Sequence, residues 1–210
     1  MPGVNLHRRA VAGPQGADVP ELQQYRLRRS EDEVTSYIGM VIFLASWAMM
    51  FAALFFAYAV VRVRAPIWPP LDQPRLPILL PGVNTAVIAA SSALVALAAR
   101  ATALGRPRRA FDCLGVAAIL GALFLLLQIL VWASLWNAGL VPSSGPYASV
   151  FYALTTFHAL HVLVGLAALV GLAVRAAQRR VTRSAVRLWG MFWHFVGAIW
   201  LALYVAVYLT

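Results

Sequence analysis

The chain has 210 residues, 62% of them hydrophobic and only 11% charged, with a mean hydropathy of +0.78 and a formal net charge of +10. That balance excludes a soluble domain and describes a polytopic membrane protein. Its one cysteine, Cys113, leaves no internal disulfide or thiolate cluster to be made.

In chain order, the first stretch is polar. Residues 1–35 read as a cytoplasmic N-terminal tail, helical near Glu21 to Arg29, with no apolar core of the kind a cleaved signal peptide needs. Arg8-Arg9 is followed by Gly13, Pro14, Gln15 and Asp18 rather than by the apolar run of a twin-arginine signal. Crossing a hydrocarbon core of ~30 Å takes about 20 residues in a helix. Four charge-free runs are long enough: Val34 to Val61, Leu76 to Ala99, Cys113 to Val174, and Leu188 to Thr210. The third is too long for one crossing, and Asn137-Ala-Gly-Leu-Val-Pro-Ser-Ser-Gly-Pro146 supplies turn residues near its middle. The expected fold is therefore all-α, a membrane bundle of five transmembrane helices within residues 36–210. The spans are placed at 37–61, 77–99, 113–136, 148–174 and 188–209.

All 17 basic residues are arginine. Five precede the first span, three lie in the first loop, four in the second, none in the third and five in the fourth. With the N-terminus inside, 14 arginines face the cytoplasm and three face out, which orients the protein with its C-terminus outside. The same arginines meet anionic headgroups. They sit in short loops with no separate basic domain, so nucleic-acid binding is not the reading. The localisation expected is a membrane crossed several times, with the N-terminus on its cytoplasmic side.

The membrane interior is free of carboxylates: Asp18, Glu21, Glu31, Asp32, Glu33, Asp72 and Asp112 all lie in the tail, in loops or at span edges. Pumps and ion-coupled transporters carry acids that titrate within the bilayer, so this pattern argues against both. It also removes the acid–base pair of an intramembrane hydrolase. Among the polar residues left in the spans are Asn84, Thr85, Ser91, Ser92, Gln128, Thr155, His158, His161 and His194.

His158 and His161 lie about 60° apart on one helix face. Neighbours on one helix can share a small metal but cannot sandwich a haem from opposite sides. Counting about 1.5 Å per residue brings His161 and His194 to nearly the same depth, so adjacent antiparallel helices would place them together. The expected role is a structural polar network of His158, His161 and His194 with Thr155 and Trp193. Asn84 and Gln128 are the next candidates for hydrogen bonds between helices. No residue is assigned to catalysis, to a metal or to a cofactor. Small residues four apart (Ser92/Ala96, Ala89/Ala93, Ala53/Ala57, Ala167/Gly171) are read as close-packing sites. Trp68, Trp136 and Trp189 fit an interfacial belt, whereas Trp47, Trp132, Trp193 and Trp200 lie deeper and need partners for their indole N–H groups.

In the fourth span Tyr147, Ser149, Phe151, Thr155, Phe157, His158, Leu160, His161 and Gly165 form one pattern. The fifth adds Trp193-His194-Phe195-Val196, Trp200 and Tyr204. The second carries Leu80-Pro81-Gly82-Val83-Asn84-Thr85 with Ser91-Ser92, and the third Gly121, Phe124 and Gln128. The first carries Gly39 through Ser46, then Phe51 and Tyr58. In this order, from about residue 36 to the end, the chain resembles cytochrome c oxidase subunit III, in the short bacterial form with five helices. It departs from the family where acids are common: Trp47 follows the serine of the first span, Val131 or its neighbour stands at the position after the glutamine of the third, and Gly197 follows His-Phe-Val in the fifth. Thr156 replaces a glycine of the fourth-span pattern.

The resemblance implies an accessory subunit without a redox centre in a haem–copper oxidase that reduces O2. Haem and copper would sit in the catalytic subunit I beside it, structural phospholipid would fill a cleft, and the chain would line an O2 path. The missing acids fit a divergent branch, including a subunit III-like partner of a nitric oxide reductase. An independent small transporter, the reading from another class, lacks both the charges and the broken helices that it would need.

Overall fold

The computed structural model describes residues 19–68, 70 and 73–209, with side chains described from Glu31 onward. Five helices follow one another: α1 Val19–Arg64, α2 Leu79–Ala103, α3 Pro107–Asn137, α4 Pro146–Ala177 and α5 Arg183–Leu203. A last π-helical turn, Tyr204–Leu209, continues α5. All five are long and apolar enough to cross a membrane, and there is no strand among the described residues. The chain divides after Ile38 into two units. In the described part of the first unit, the segment expected as tail is helical from Val19; the rest of the tail lies outside the described residues. The second unit, from Gly39 onward, holds the helix bundle.

Local chemistry sets the ends. Pro107 and Pro146 open α3 and α4, where a missing N–H costs nothing and φ is already helical. Thr182 caps α5 by accepting from the Ala185 N–H at 3.3 Å. The long third run breaks as expected: Gly139 (φ 90°) and Gly145 (φ 144°) take conformations that side chains resist, around a 3₁₀ turn at Pro142–Ser144. Most helices overrun their apolar stretches, since a helix persists through its charged, interfacial ends while hydropathy marks only the part inside hydrocarbon.

Helices α2, α3, α4 and α5 close a ring in that order, each packed on the next and α5 returning to α2. Lipid tails are as apolar as leucine, so close fit and hydrogen bonds, rather than water exclusion, must hold such a ring together. Two tryptophans of α5, seven residues apart on one helix face, supply the fit. The buried Trp193 ring lies between Gly121 of α3 and Gly165 of α4; a Cβ at either glycine would come within 2.8 Å of it. Trp200 stands edge-on to Phe124 of α3, with centroids 4.8 Å apart, and lies tilted over His158 of α4 at 5.4 Å. Both indoles also reach α2 through their N–H groups, so each tryptophan touches three helices.

The small-residue pairs behave differently from expectation. Ala53, Ala57, Ala89, Ala93, Ala167 and Gly171 are exposed on the outside of the unit, and only Ser92/Ala96 lies partly within the packing. Close approach is needed where a large ring must enter. That falls to Gly121 and Gly165.

From Gly39 onward α1 stands off from this ring and reaches it with side chains, Phe51 being fully buried. On the outer side, Trp68 stacks edge-on between Tyr58 and Tyr147, with Arg62 5.8 Å from its ring centre. The Gln73 amide donates to the Ser144 carbonyl at 3.2 Å, tying the two outer loops.

Candidate functional site

His158 and His161 share one face of α4, as their spacing requires, and both are buried. Aromatic rings surround them. Trp47 of α1 stands edge-on to His161 with centroids 4.1 Å apart, and Phe51 meets His161 at 5.2 Å and His158 at 6.4 Å. Phe124 and Trp200 complete the enclosure of His158 at 5.8 and 5.4 Å. The His161 Nδ1 lies 2.5 Å from the Phe157 carbonyl of its own helix, and because a carbonyl only accepts, Nδ1 is the donor. Neither His158 nitrogen, nor His161 Nε2, has a hydrogen-bond partner among the described residues. The imidazoles thus contribute as rings, and the bonds that cross between helices fall elsewhere.

Those bonds join indoles to hydroxyls. Trp193 Nε1 donates to Ser91 at 3.1 Å, Trp200 Nε1 to Thr85 at 3.0 Å, and Trp132 Nε1 to Thr155 at 3.1 Å. Ser91 in turn donates to the Ala117 carbonyl of α3 at 2.8 Å. Asn84 donates to the Phe124 carbonyl, 3.2 Å across the α2–α3 contact. Gln128 is buried and faces the Tyr208 hydroxyl without a bond of normal geometry. Trp132, Trp193 and Trp200 have the N–H partners their depth demanded; Trp47 is packed by rings instead.

His194 is not with the other two. It faces outward and its Nδ1 pairs with the Ser92 hydroxyl of α2. Equal depth fixes height but not direction around a helix. Trp193 occupies the inward position, so its neighbour is turned away by about 100°. The sequence reading missed Ser91, Thr85, Trp132 and Trp200 as site members. The signal was present in the need of each deep indole for an acceptor and in the few hydroxyls that could meet it.

Hollows open beside the site and at the outer end of the bundle. A groove of about 180 Å³ opens beside His161, lined by Phe43, Trp47, Phe157, Leu160, Val164 and Phe192. A larger one of about 480 Å³ lies at the outer end, lined among others by Arg64, Trp68, Gln73, Ser144 and Tyr147. Among the described residues there is no group of three or more His, Cys, Asp or Glu side chains that could hold a metal ion.

Comparison with known proteins agrees with this architecture. Residues 32–210 match the family model described as Cytochrome c oxidase subunit III. A protein of Synechocystis sp. named cytochrome c oxidase subunit 3 is 34% identical over 175 residues, covering 81% of this chain and 74% of its own. Proteins of the same name from Locusta migratoria and Lycodon semicarinatus are 31% and 33% identical, each alignment covering 81% of this chain and 67% of the relative. With the family model matched over residues 32–210 and relatives at this level of identity and coverage, the chain belongs to the cytochrome c oxidase subunit III family.

Proposed function

We propose that this chain is an accessory, non-redox subunit of a membrane respiratory haem–copper oxidase. It steadies the haem- and copper-bearing catalytic subunit and offers a lipid-lined approach for O2. One observation carries the reading: the middle of the bundle is a set of rings around two imidazoles, bordered by an apolar groove of about 180 Å³. Such a groove suits an acyl chain or a small apolar gas, neither of which needs a ligand. The outer hollow pairs the Arg64 cation with apolar walls and suits a phospholipid. His158, His161, His194, Thr155, Trp193, Asn84 and Gln128 hold the helices in place and take no part in redox chemistry. The arginine distribution supports an N-terminus in the cytoplasm and a C-terminus outside a bacterial inner membrane, with residues 1–35 as a tail and 36–210 as the bundle.

Trp47, Val131 and Gly197 at positions often acidic in the family favour a second reading, a subunit III-like partner of a nitric oxide reductase. Gentle detergent purification of the tagged protein from its native membrane, with a reduced-minus-oxidised spectrum, separates the two. Co-purifying haem with O2 uptake supports the oxidase; haem with NO consumption transfers the chain to the reductase. A colourless protein without partners, from an otherwise active membrane, refutes both. In the same preparation, His161→Leu is expected to lower the yield and thermal stability of the complex while the haem spectrum per mole of surviving complex stays unchanged. Loss of a haem band per mole of intact complex would overturn the structural role.

A further inference from the structure

We propose that the hollow at the arginine-bearing end of the bundle, between the start of α3 and the end of α4, is a binding site for a phosphate ester held by the Arg108 and Arg179 guanidinium groups. The proposal goes beyond the subunit role above and does not depend on it. The hollow measures about 300 Å³ and is lined by Pro107, Arg108 and Phe111 of α3, by Ala176 and Ala177 of α4, and by Arg179 just beyond α4. Two cations thus reach one concavity from different helices. No carboxylate is among its walls; Asp112, next to Phe111 in the chain, is not part of them. Guanidinium groups match phosphate oxygens in pairs of parallel N–H bonds, which makes a phosphate the fitting counter-charge. The hollow is larger than a bare phosphate needs, and the Phe111 ring with the two alanine methyl groups offers an apolar wall for the carbon part of an ester.

The backbone adds a separate observation. Arg179 has φ 56°, and it is the one residue with a side chain, among those described, in the left-handed region. It stands where glycine usually ends a helix: its N–H bonds the Ala176 carbonyl at 3.0 Å, and the Arg180 N–H bonds the Arg175 carbonyl at 2.8 Å. An arginine there carries strain that glycine would not. Orientation in the membrane does not explain it, because that depends on how many arginines a loop holds and not on which position holds them. Strain kept at one position points to a role for that side chain where it stands. Depth agrees. Arg108 lies five residues before Cys113 and Arg179 five residues after Val174, the two ends of the charge-free run. At roughly 1.5 Å per residue both lie about 7 Å outside the hydrocarbon, the level of headgroup phosphates. The same chemistry is shared by a glycerophospholipid headgroup and by a soluble phosphate ester arriving from the water.

The test uses the full chain with whatever complex purifies with it. Native mass spectrometry counts the phosphate-bearing molecules retained per copy, and the unfolding midpoint is followed as glycerol 3-phosphate or a short-chain phosphatidylglycerol is added. A saturable rise with one of the two probes is expected. A response to phosphatidylglycerol alone assigns the site to a lipid headgroup, and a response to glycerol 3-phosphate assigns it to a soluble ester. Arg108→Gln and Arg179→Gln should each raise the half-saturating concentration roughly tenfold, since each removes a charge-assisted pair of bonds. Arg183→Gln, at the start of α5 on the same side but outside the hollow, should leave it unchanged. Equal effects from all three would mean that surface charge alone is at work and would overturn the proposal. Arg179→Gly separates ligand from fold: it should leave the midpoint without added probe level or higher, because the strain is gone, while abolishing the rise. An Arg179→Gly protein that keeps the full rise overturns the proposal. So does an unsubstituted chain that responds to neither probe and retains no phosphate-bearing molecule.

Discussion

Adding one methyl group at Gly165 is expected to lower the unfolding midpoint of the purified protein, whereas the same change at Gly115 should leave it level or raise it slightly. Alanine is the better helix former by about 0.5–1 kcal/mol, and Gly115 has nothing within 4 Å of its missing Cβ, so only that gain applies there. At Gly165 the new Cβ would sit 2.8 Å from Trp193 Cε3, 3.0 Å from Cζ3 and 3.1 Å from Phe192. The indole cannot retreat. Its opposite edge is already against Gly121, where a Cβ would likewise come within 2.8 Å, and its N–H is held by Ser91. Overpacking a tight core costs about 1–3 kcal/mol. With the ring confined on both sides the cost should fall toward the upper end and outweigh the gain in helix propensity. The check is thermal or mixed-micelle unfolding of both variants. A Gly165→Ala protein as stable as the unsubstituted chain would mean that the ring is not clamped. In a Trp193→Leu background the Gly165→Ala penalty should shrink, because the clashing edge has gone.

Ser91→Ala is the second change with a large expected effect. The hydroxyl is fully buried, donates to the Ala117 carbonyl and accepts from the Trp193 indole, so one oxygen joins α2, α3 and α5. Hydrogen bonds between membrane helices average only about 0.6 kcal/mol when both states can find partners. Here the indole N–H would be left in a closed interior. Stranding a buried donor costs about 1–3 kcal/mol, and that larger figure should govern. The measurement is a double-mutant cycle in mixed micelles: Ser91→Ala should be costly in the natural chain and much less so once Trp193→Phe has removed the donor. Equal costs in both backgrounds would assign the effect to lost packing alone.

Much of this fold can be read from the chain. The five crossings follow from charge-free runs, and the break between α3 and α4 follows from Gly139, Pro142 and Gly145, whose backbone preferences act locally. The adjacency of His158 and His161 follows from the helical period. The rings around them come from α1, α3 and α5, up to about a hundred residues away in the chain, and no local pattern specifies which face of a distant helix will arrive. His194 marks the boundary of such reasoning: depth can be counted along a helix, but direction is set by which neighbour wins the interior, and Trp193 wins it. The small-residue pairs mark another, since alanine serves helix formation on an outer face as well as close approach on an inner one.

The manner in which α1 is held gives the molecule a weak end and a strong end under load. From Gly39 to Ala57 this helix meets the rest of its unit through packed rings and the apolar Met40, Leu44 and Leu54, and its one described hydroxyl there, Ser46, bonds back to Ile42 of the same helix. A force drawing α1 along its axis would break dispersion contacts a few at a time and peel the helix out gradually. A force drawing α5 would have to tear Trp193 and Trp200 from three helices at once. Pulled in a single-molecule instrument, the protein should give up α1 at low force in a shallow event and resist at the other terminus until the four-helix ring fails as one piece.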